Sequence, residues 1–430
     1  MAPRCPRGGG SCYHSALVWL PYPAPRFVIT ENPMSPQERR SVASLALLYM
    51  TRMLGLFMVL PLLALYAADM PGATPFLLGL ALGAYGLTQA LLQVPLGWLS
   101  DRVGRKPVIV AGLLLFGLGS VVAAQADTVG GIVLGRVLQG AGAIASTLMA
   151  LLADLTREEQ RTKAMALVGI SIGLAFALAM VLGPLLAARG GLPTVFWFTA
   201  LLALAGIALV LLRVPAPAAQ PAISARPGRG GDLLGRSLFD SALARLYFGV
   251  FTLHFVLMAC FLVVPGMLET GAGVDRAHHW QVYLPVLLLS LAGMAVLMRT
   301  AERGGRPRTA LLVGIGCIVL ALALFGLAAG EWLLYTGLWL FFVGFNYLEA
   351  TLPSAVSKTA SVEGRGTAMG LFSTSQFLGA FAGGAVGGWL LQAAGVWALG
   401  AACLLLTALW GVGVLRAPRP APLVEPAAGT

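Results

Sequence analysis

The sequence predicts an all-α integral membrane protein of twelve transmembrane helices, arranged as two pseudo-symmetric six-helix bundles. Three observations predict it. The chain of 430 residues is 58% hydrophobic and 10% charged, with a mean hydropathy of +0.85. Soluble domains carry roughly a quarter charged residues, so a surface this poor in charge needs lipid as its solvent. Its apolar residues fall into twelve runs, each close to the ~20 residues that cross the hydrocarbon core. Finally, the charged turn Gly97-Trp98-Leu99-Ser100-Asp101-Arg102-Val103-Gly104-Arg105-Lys106 lies between two such runs and recurs at an offset of 201 as Glu302-Arg303-Gly304-Gly305-Arg306. Backbone in lipid must satisfy its own hydrogen bonds, so a charged reversal between spans can only lie at an interface.

The spans fall at 42–66, 75–98, 107–125, 130–152, 163–187, 193–213, 243–267, 279–299, 308–328, 331–356, 365–391 and 395–416. Residues 1–40, rich in Gly, Pro and Arg, read as a disordered arm, or as sequence upstream of a true start at Met34. Residues 41–213 form the first six-helix bundle and 242–416 the second. Between them 214–241, rich in Pro, Ala, Gly and Arg, reads as a flexible cytoplasmic linker. Residues 417–430 read as a disordered cytoplasmic tail. The 201-residue offset also carries Gly169 to Gly370 and Gly183 to Gly384.

Charge distribution orients the chain. With the amino terminus inside, 24 of the 28 Lys and Arg residues fall on the cytoplasmic side, and only Arg189 and Arg276 on the other. The positive-inside rule then puts both termini in the cytoplasm of a bacterial-type inner membrane. The net charge of +11 is spread over short loops, and no basic face collects it as nucleic acid would require. Cys5, Cys12, Cys260, Cys317 and Cys403 have no ligand spacing, so no disulfide framework or metal is expected. The sequence has no HExxH or P-loop, so an enzyme is not expected either.

Several motifs carry a family resemblance. Gly97-x-Leu99-x-Asp101-Arg102-x-Gly104-Arg105-Lys106 lies between spans 2 and 3, and span 4 carries Arg136-x-x-Gln139-Gly140-x-Gly142-Ala143. Span 1 has Leu54-Gly55 followed by Pro61, with Ala64 where a second proline is common. Span 5 has Gly183-Pro184, with Ala179, Ala187 and Ala188 in place of flanking glycines. Over about residues 40–416 the chain resembles the major facilitator superfamily, and its twelve-span drug:proton antiporter branch in particular. The resemblance implies a cytoplasmic gate at Gly97, Asp101, Arg102, Gly104, Arg105 and Lys106, with Asp101 meeting the helix N-terminus of span 11 near Gly364–Gly370. The plainer reading is a positively charged loop anchor. Arg102, Arg105 and Lys106 can pair with acids such as Asp154 or Glu158. Gly183 and Pro184 supply either a bend for gating or a packing kink.

Ionisable groups inside spans are rare and usually functional. Arg52, Arg136, His254 and Glu349 lie in spans 1, 4, 7 and 10, with Asn346 one turn before Glu349. In the fold that the resemblance implies, these four spans line the central cavity. Glu349, about seven residues from the cytoplasmic end of its span, is the candidate proton-coupling group, since alternation between buried and cation-paired environments moves a carboxylate pKa. The competing reading is a permanent Arg52–Glu349 bridge. His254 is a second titratable candidate or a packing residue. Arg136 faces water or a partner, or ties span 4 to its neighbours through backbone hydrogen bonds. His278 and His279 read as interfacial, and Tyr49, Phe57, Phe255 and Tyr347 as aromatic substrate contacts.

The resulting expectation is a secondary transporter that exports lipophilic, cationic or neutral small molecules in exchange for protons, working as a monomer with no cofactor beyond the proton gradient. The alternative is a facilitator that carries one specific metabolite by symport or uniport.

Overall fold

The computed structural model describes residues 33–215, 229–303, 307–327, 330–361 and 363–417. Every described regular element is helical. Nine described segments are long and apolar enough to cross a bilayer. Two of them are pairs of spans. Glu158–Leu212 has 55 residues, about 80 Å at 1.5 Å per residue, more than twice the hydrocarbon core. It breaks at Gly190 and Gly191, the latter at φ +67°, a conformation that favours glycine. Arg365–Arg416 breaks in the same way at Gly395, φ +79°. These are spans 5–6 and 11–12. Glu331–Thr359, which carries Asn346 and Glu349, is span 10 and completes twelve.

Local chemistry fixes the helix starts. Span 1 begins at Pro36, where Ser35 and Glu38 form a reciprocal capping box. Thr74, Thr128 and Asp240 cap spans 2, 4 and 7. Gly104, at φ +97°, makes the reversal between spans 2 and 3. Glu38 also accepts from Arg157 Nε at 3.0 Å and from Arg157 Nη2 at 3.0 Å, tying the start of span 1 to the loop before span 5.

Three expectations change. Residues 36–40, assigned to a disordered arm, are the first turn of span 1. Within the segment read as a flexible linker, Arg229–Phe239 is a helix. Span 10 runs to Thr359, which puts Glu349 ten residues from that end rather than seven. Residues 1–32 of the arm, residues 216–228, the repeated turn at Gly304, Gly305 and Arg306, and residues 418–430 of the tail lie outside the described residues.

The two halves join mainly along spans 2 and 11. Gly79, Gly83 and Gly86 of span 2 lie against the backbone of Gly384, Phe381 and Phe377. On its other side span 11 sets Gly379 and Gly383 against the backbone of Phe251 and Phe255 in span 7. Small residues at a turn's spacing let helices approach to backbone contact, which is how membrane helices gain packing energy without a hydrophobic driving force. Gly183 similarly faces the Met58 carbonyl of span 1, beside the interruption of span 1 at Val59. Helical φ/ψ continues through Gly183 and Pro184, so the pair serves close packing here.

Candidate functional site

Arg52 and Arg136 fall into one polar network in the first half, and His254 and Glu349 into another in the second. In the first half, Arg52 is 2% exposed. Its Nη2 donates to Tyr85 Oη at 2.9 Å, to Gln89 Oε1 at 2.9 Å and to the Gly142 carbonyl at 3.2 Å. Arg136 is 1% exposed; its Nε donates to the Ala81 carbonyl at 3.2 Å and its Nη1 to Gln139 Oε1 at 2.8 Å. Gln139 then donates to Ser120 Oγ at 2.8 Å, and the Arg136 guanidinium lies over the Tyr85 ring. Arg136 therefore ties span 4 to spans 2 and 3, the second of its two expected roles, and does not face water in this conformation.

In the second half, Gln376 of span 11 sits between two titratable groups. Its Nε2 donates to Glu349 Oε1 at 3.0 Å and lies 2.9 Å from His254 Nε2. His254 Nδ1 lies 3.1 Å from the Val250 carbonyl. A ring that donates from Nδ1 to a carbonyl and accepts at Nε2 from an amide is the neutral tautomer with its proton on Nδ1. The other carboxylate oxygen, Glu349 Oε2, is buried without a hydrogen-bond partner, 3.7 Å from His254 Nε2. The site thus brings an unpartnered carboxylate oxygen close to an imidazole nitrogen. Asn346 turns away, donating to Ser290 Oγ of span 8 at 2.9 Å.

The Arg52–Glu349 bridge does not form. Arg52 points among spans 1, 2 and 4, where Tyr85, Gln89 and Gly142 hold it, while Glu349 engages span 11 and span 7. The two networks meet through Tyr85, whose ring packs edge-on against Phe377, the neighbour of Gln376, at 6.3 Å. Gln376, Tyr85 and Gln89 were not singled out from the sequence, although each is a polar residue inside an apolar span, the signal that flagged Arg52 and Glu349.

Of the four aromatic candidates, Phe57 lies edge-on to Phe176 of its own half, which in turn meets Phe342 of the other half. Tyr49 is buried and donates to the Ala145 carbonyl at 2.7 Å. Phe255 and Tyr347 are buried against Gly383 and Gly314. His279 is fully buried within the protein, with Nε2 3.1 Å from the Val274 carbonyl.

The turn between spans 2 and 3 is closed on itself. Asp101 pairs with Arg105, and Arg105 also reaches Asp154 Oδ2 at 3.1 Å and Ser100 Oγ at 2.7 Å. Arg102 stacks over Trp98 at 3.7 Å, Lys106 follows at the start of span 3, and Gly97 faces Ser146 of span 4. Gly364, at the start of span 11, donates to Ser361. The expected contact from Asp101 to that helix start is therefore not made in this conformation. At the opposite end the halves are tied: Arg276, after span 7, donates to Asp69 Oδ2 at 3.1 Å and to Glu269 Oε1 at 3.1 Å, and lies over the Tyr66 ring.

The family model for the Major Facilitator Superfamily matches residues 45–383. The chain belongs to the major facilitator superfamily. It is 45% identical over 381 residues to the Inner membrane transport protein YajR of Escherichia coli, covering 88% of this chain and 83% of that one. It is 27% identical to Multidrug resistance protein MdtH of Klebsiella pneumoniae, over 79% and 84% of the two chains. Among solved structures, a D-xylose-proton symporter superposes with a TM-score of 0.69 at 17% identity, covering 89% of this chain and 98% of that one. A major facilitator chain is a membrane-embedded secondary transporter of small molecules, not an enzyme, and its twelve helices form two bundles.

Proposed function

We infer that this facilitator is a proton-coupled exporter of lipophilic small molecules in the inner membrane, with its Arg-rich loops in the cytoplasm. The observation that supports the coupling is the Glu349–Gln376–His254 cluster, in which a buried carboxylate oxygen without a hydrogen-bond partner lies 3.7 Å from an imidazole nitrogen. One proton entering this gap turns two acceptors into a hydrogen-bonded pair. Charged His254 would donate from Nε2, and the Gln376 amide, which now donates to both groups, would have to turn its oxygen toward the ring or let go. Gln376 is on span 11 and its neighbour Phe377 packs on Tyr85 of the other half, which supports a link between that local change and the contact of the halves. Conformational response to a proton needs such a difference in contacts between the two states.

The apolar faces between the halves, with Phe57, Phe176 and Phe342, suit a lipophilic cargo. The broken Asp101 contact and the closed far end fit a state open toward the Arg-rich side, from which an exporter loads. The relationship to the multidrug resistance protein MdtH favours efflux over carriage of one metabolite.

The test is transport of a lipophilic dye in proteoliposomes with and without a pH gradient, comparing wild type with Glu349→Gln and His254→Gln. Gradient-driven accumulation is expected to vanish in Glu349→Gln while counterflow without a gradient persists. Gradient dependence retained in both variants would reject the coupling role.

A further inference from the structure

The network around Arg52 is short of acceptors. Nη2 makes all of its bonds, yet Arg52 Nε and Nη1 are buried with no partner. Gln89, 0% exposed, gives its oxygen to Arg52, which leaves its Nε2 buried and unpartnered as well. Turning that amide over would put an NH2 group against the guanidinium, so the assignment follows from the contact. All three orphaned atoms are donors, clustered around one positive charge. Among the described residues, no carboxylate pairs with Arg52 or Arg136, since the acidic residues of the first half lie at helix ends.

The backbone adds to this. Span 4 is two helices, Val129–Ala141 and Ala145–Asp154, interrupted at Gly142–Ile144. Arg52 donates to the Gly142 carbonyl at that break. The second half-helix starts there with no side-chain cap, so its first N–H groups lack a side-chain partner. Thr147, in its first turn and 0% exposed, has an unpartnered Oγ1. A buried cation, uncompensated donors and an uncapped half-helix start are the components of an anion site, and leaving them without an acceptor at membrane depth is costly.

We propose that Arg52 and Gln89, at the break in span 4, form a binding site for an anionic group, and that it takes the acid group of a lipophilic substrate. The cargo is then a lipophilic acid rather than the cationic or neutral compound expected from the sequence. This rests on the reading of the chain as an exporter of lipophilic molecules, but not on proton coupling. An anion on Nε and Nη1 binds the same guanidinium whose Nη2 holds Tyr85 Oη, and the Tyr85 ring packs on Phe377 of the other half, which links occupancy to the interface. The same chemistry admits a small inorganic anion as occupant.

The experiment uses the full chain in detergent, without any pH gradient. Binding of 2-naphthoate and of its neutral analogue 2-naphthamide is measured by tryptophan fluorescence, and Tm is followed in chloride against gluconate at equal ionic strength. At least tenfold tighter binding of naphthoate than of naphthamide is expected. That ratio should collapse toward one in Arg52→Gln and fall only partly in Arg52→Lys, which keeps the charge. Should Arg52→Gln fail to fold, Gln89→Leu and the wild-type ion series carry the comparison. A Tm rise specific to chloride, without acid preference, assigns the site to an inorganic anion. Equal binding of acid and amide, together with no anion-specific shift, means that the donors are satisfied by water alone and overturns the proposal. Loss of gradient dependence in the transport assay leaves this ratio untouched, so the two readings fail separately.

Discussion

Removing Arg276 should open the far end of the transporter by an amount that its contacts define. Its pair with Asp69 joins the two halves, but Asp69 is 74% exposed against 31% for Arg276, so about 0.5 kcal/mol is appropriate for that pair. The contact over Tyr66, 5.2 Å from guanidinium carbon to ring centroid, also crosses between halves and adds about 0.5–1 kcal/mol. The pair with Glu269 stays within the second half; it orients Arg276 without joining anything. Arg276→Ala therefore removes about 1–1.5 kcal/mol of attraction between the halves, roughly a tenfold shift in the ratio of open to closed at that end. Asp69→Asn removes only the pair, about a twofold shift. Spin labels at Asp127 and Glu331, exposed at the far ends of the two halves, report the opening as a longer distance component. An equal effect of the two substitutions, or a larger one for Asp69→Asn, would refute this apportioning.

Two further outcomes follow from the same packing. Gly79→Leu should destabilise the protein by about 1–3 kcal/mol through overpacking, because the added side chain meets the Gly384 backbone rather than a movable side chain; thermal unfolding checks it, with Gly169→Leu, which faces open space, as the unaffected control. Asp101→Asn should leave the present conformation intact, since Asp101 makes no contact with span 11 here. It should shift the equilibrium toward this conformation by up to about 1 kcal/mol, the size of a helix-end charge term, seen as faster maleimide labelling of a cysteine placed at Gly370.

Much of the architecture was legible because lipid imposes it. Twelve runs of sufficient length and the charged turn Gly97–Lys106 stood out because span length and interfacial charge act over a few neighbouring residues; the breaks at Gly190-Gly191 and Gly395 and the caps Ser35, Thr74, Thr128 and Asp240 are equally local but were not singled out. Arg52, Arg136, His254 and Glu349 stood out for the same reason: a titratable group in hydrocarbon needs an explanation wherever it points. Their partners were not legible. Arg52 and Glu349 are at compatible depth, yet depth does not fix azimuth, and the side chains turn into separate halves. Gln376 is 27 residues from Glu349 and 122 from His254 in sequence, so only helix packing brings it between them.

The sequence by itself determined that this chain crosses a membrane twelve times as two related halves, with a charged turn of the facilitator type, since solvation and backbone hydrogen bonding are settled span by span. Only the tertiary structure decided which polar groups meet, because that depends on the rotation of each helix about its own axis. That rotation is set by glycine-to-backbone contacts such as Gly79 on Gly384 and Gly379 on Phe251, which no local pattern encodes.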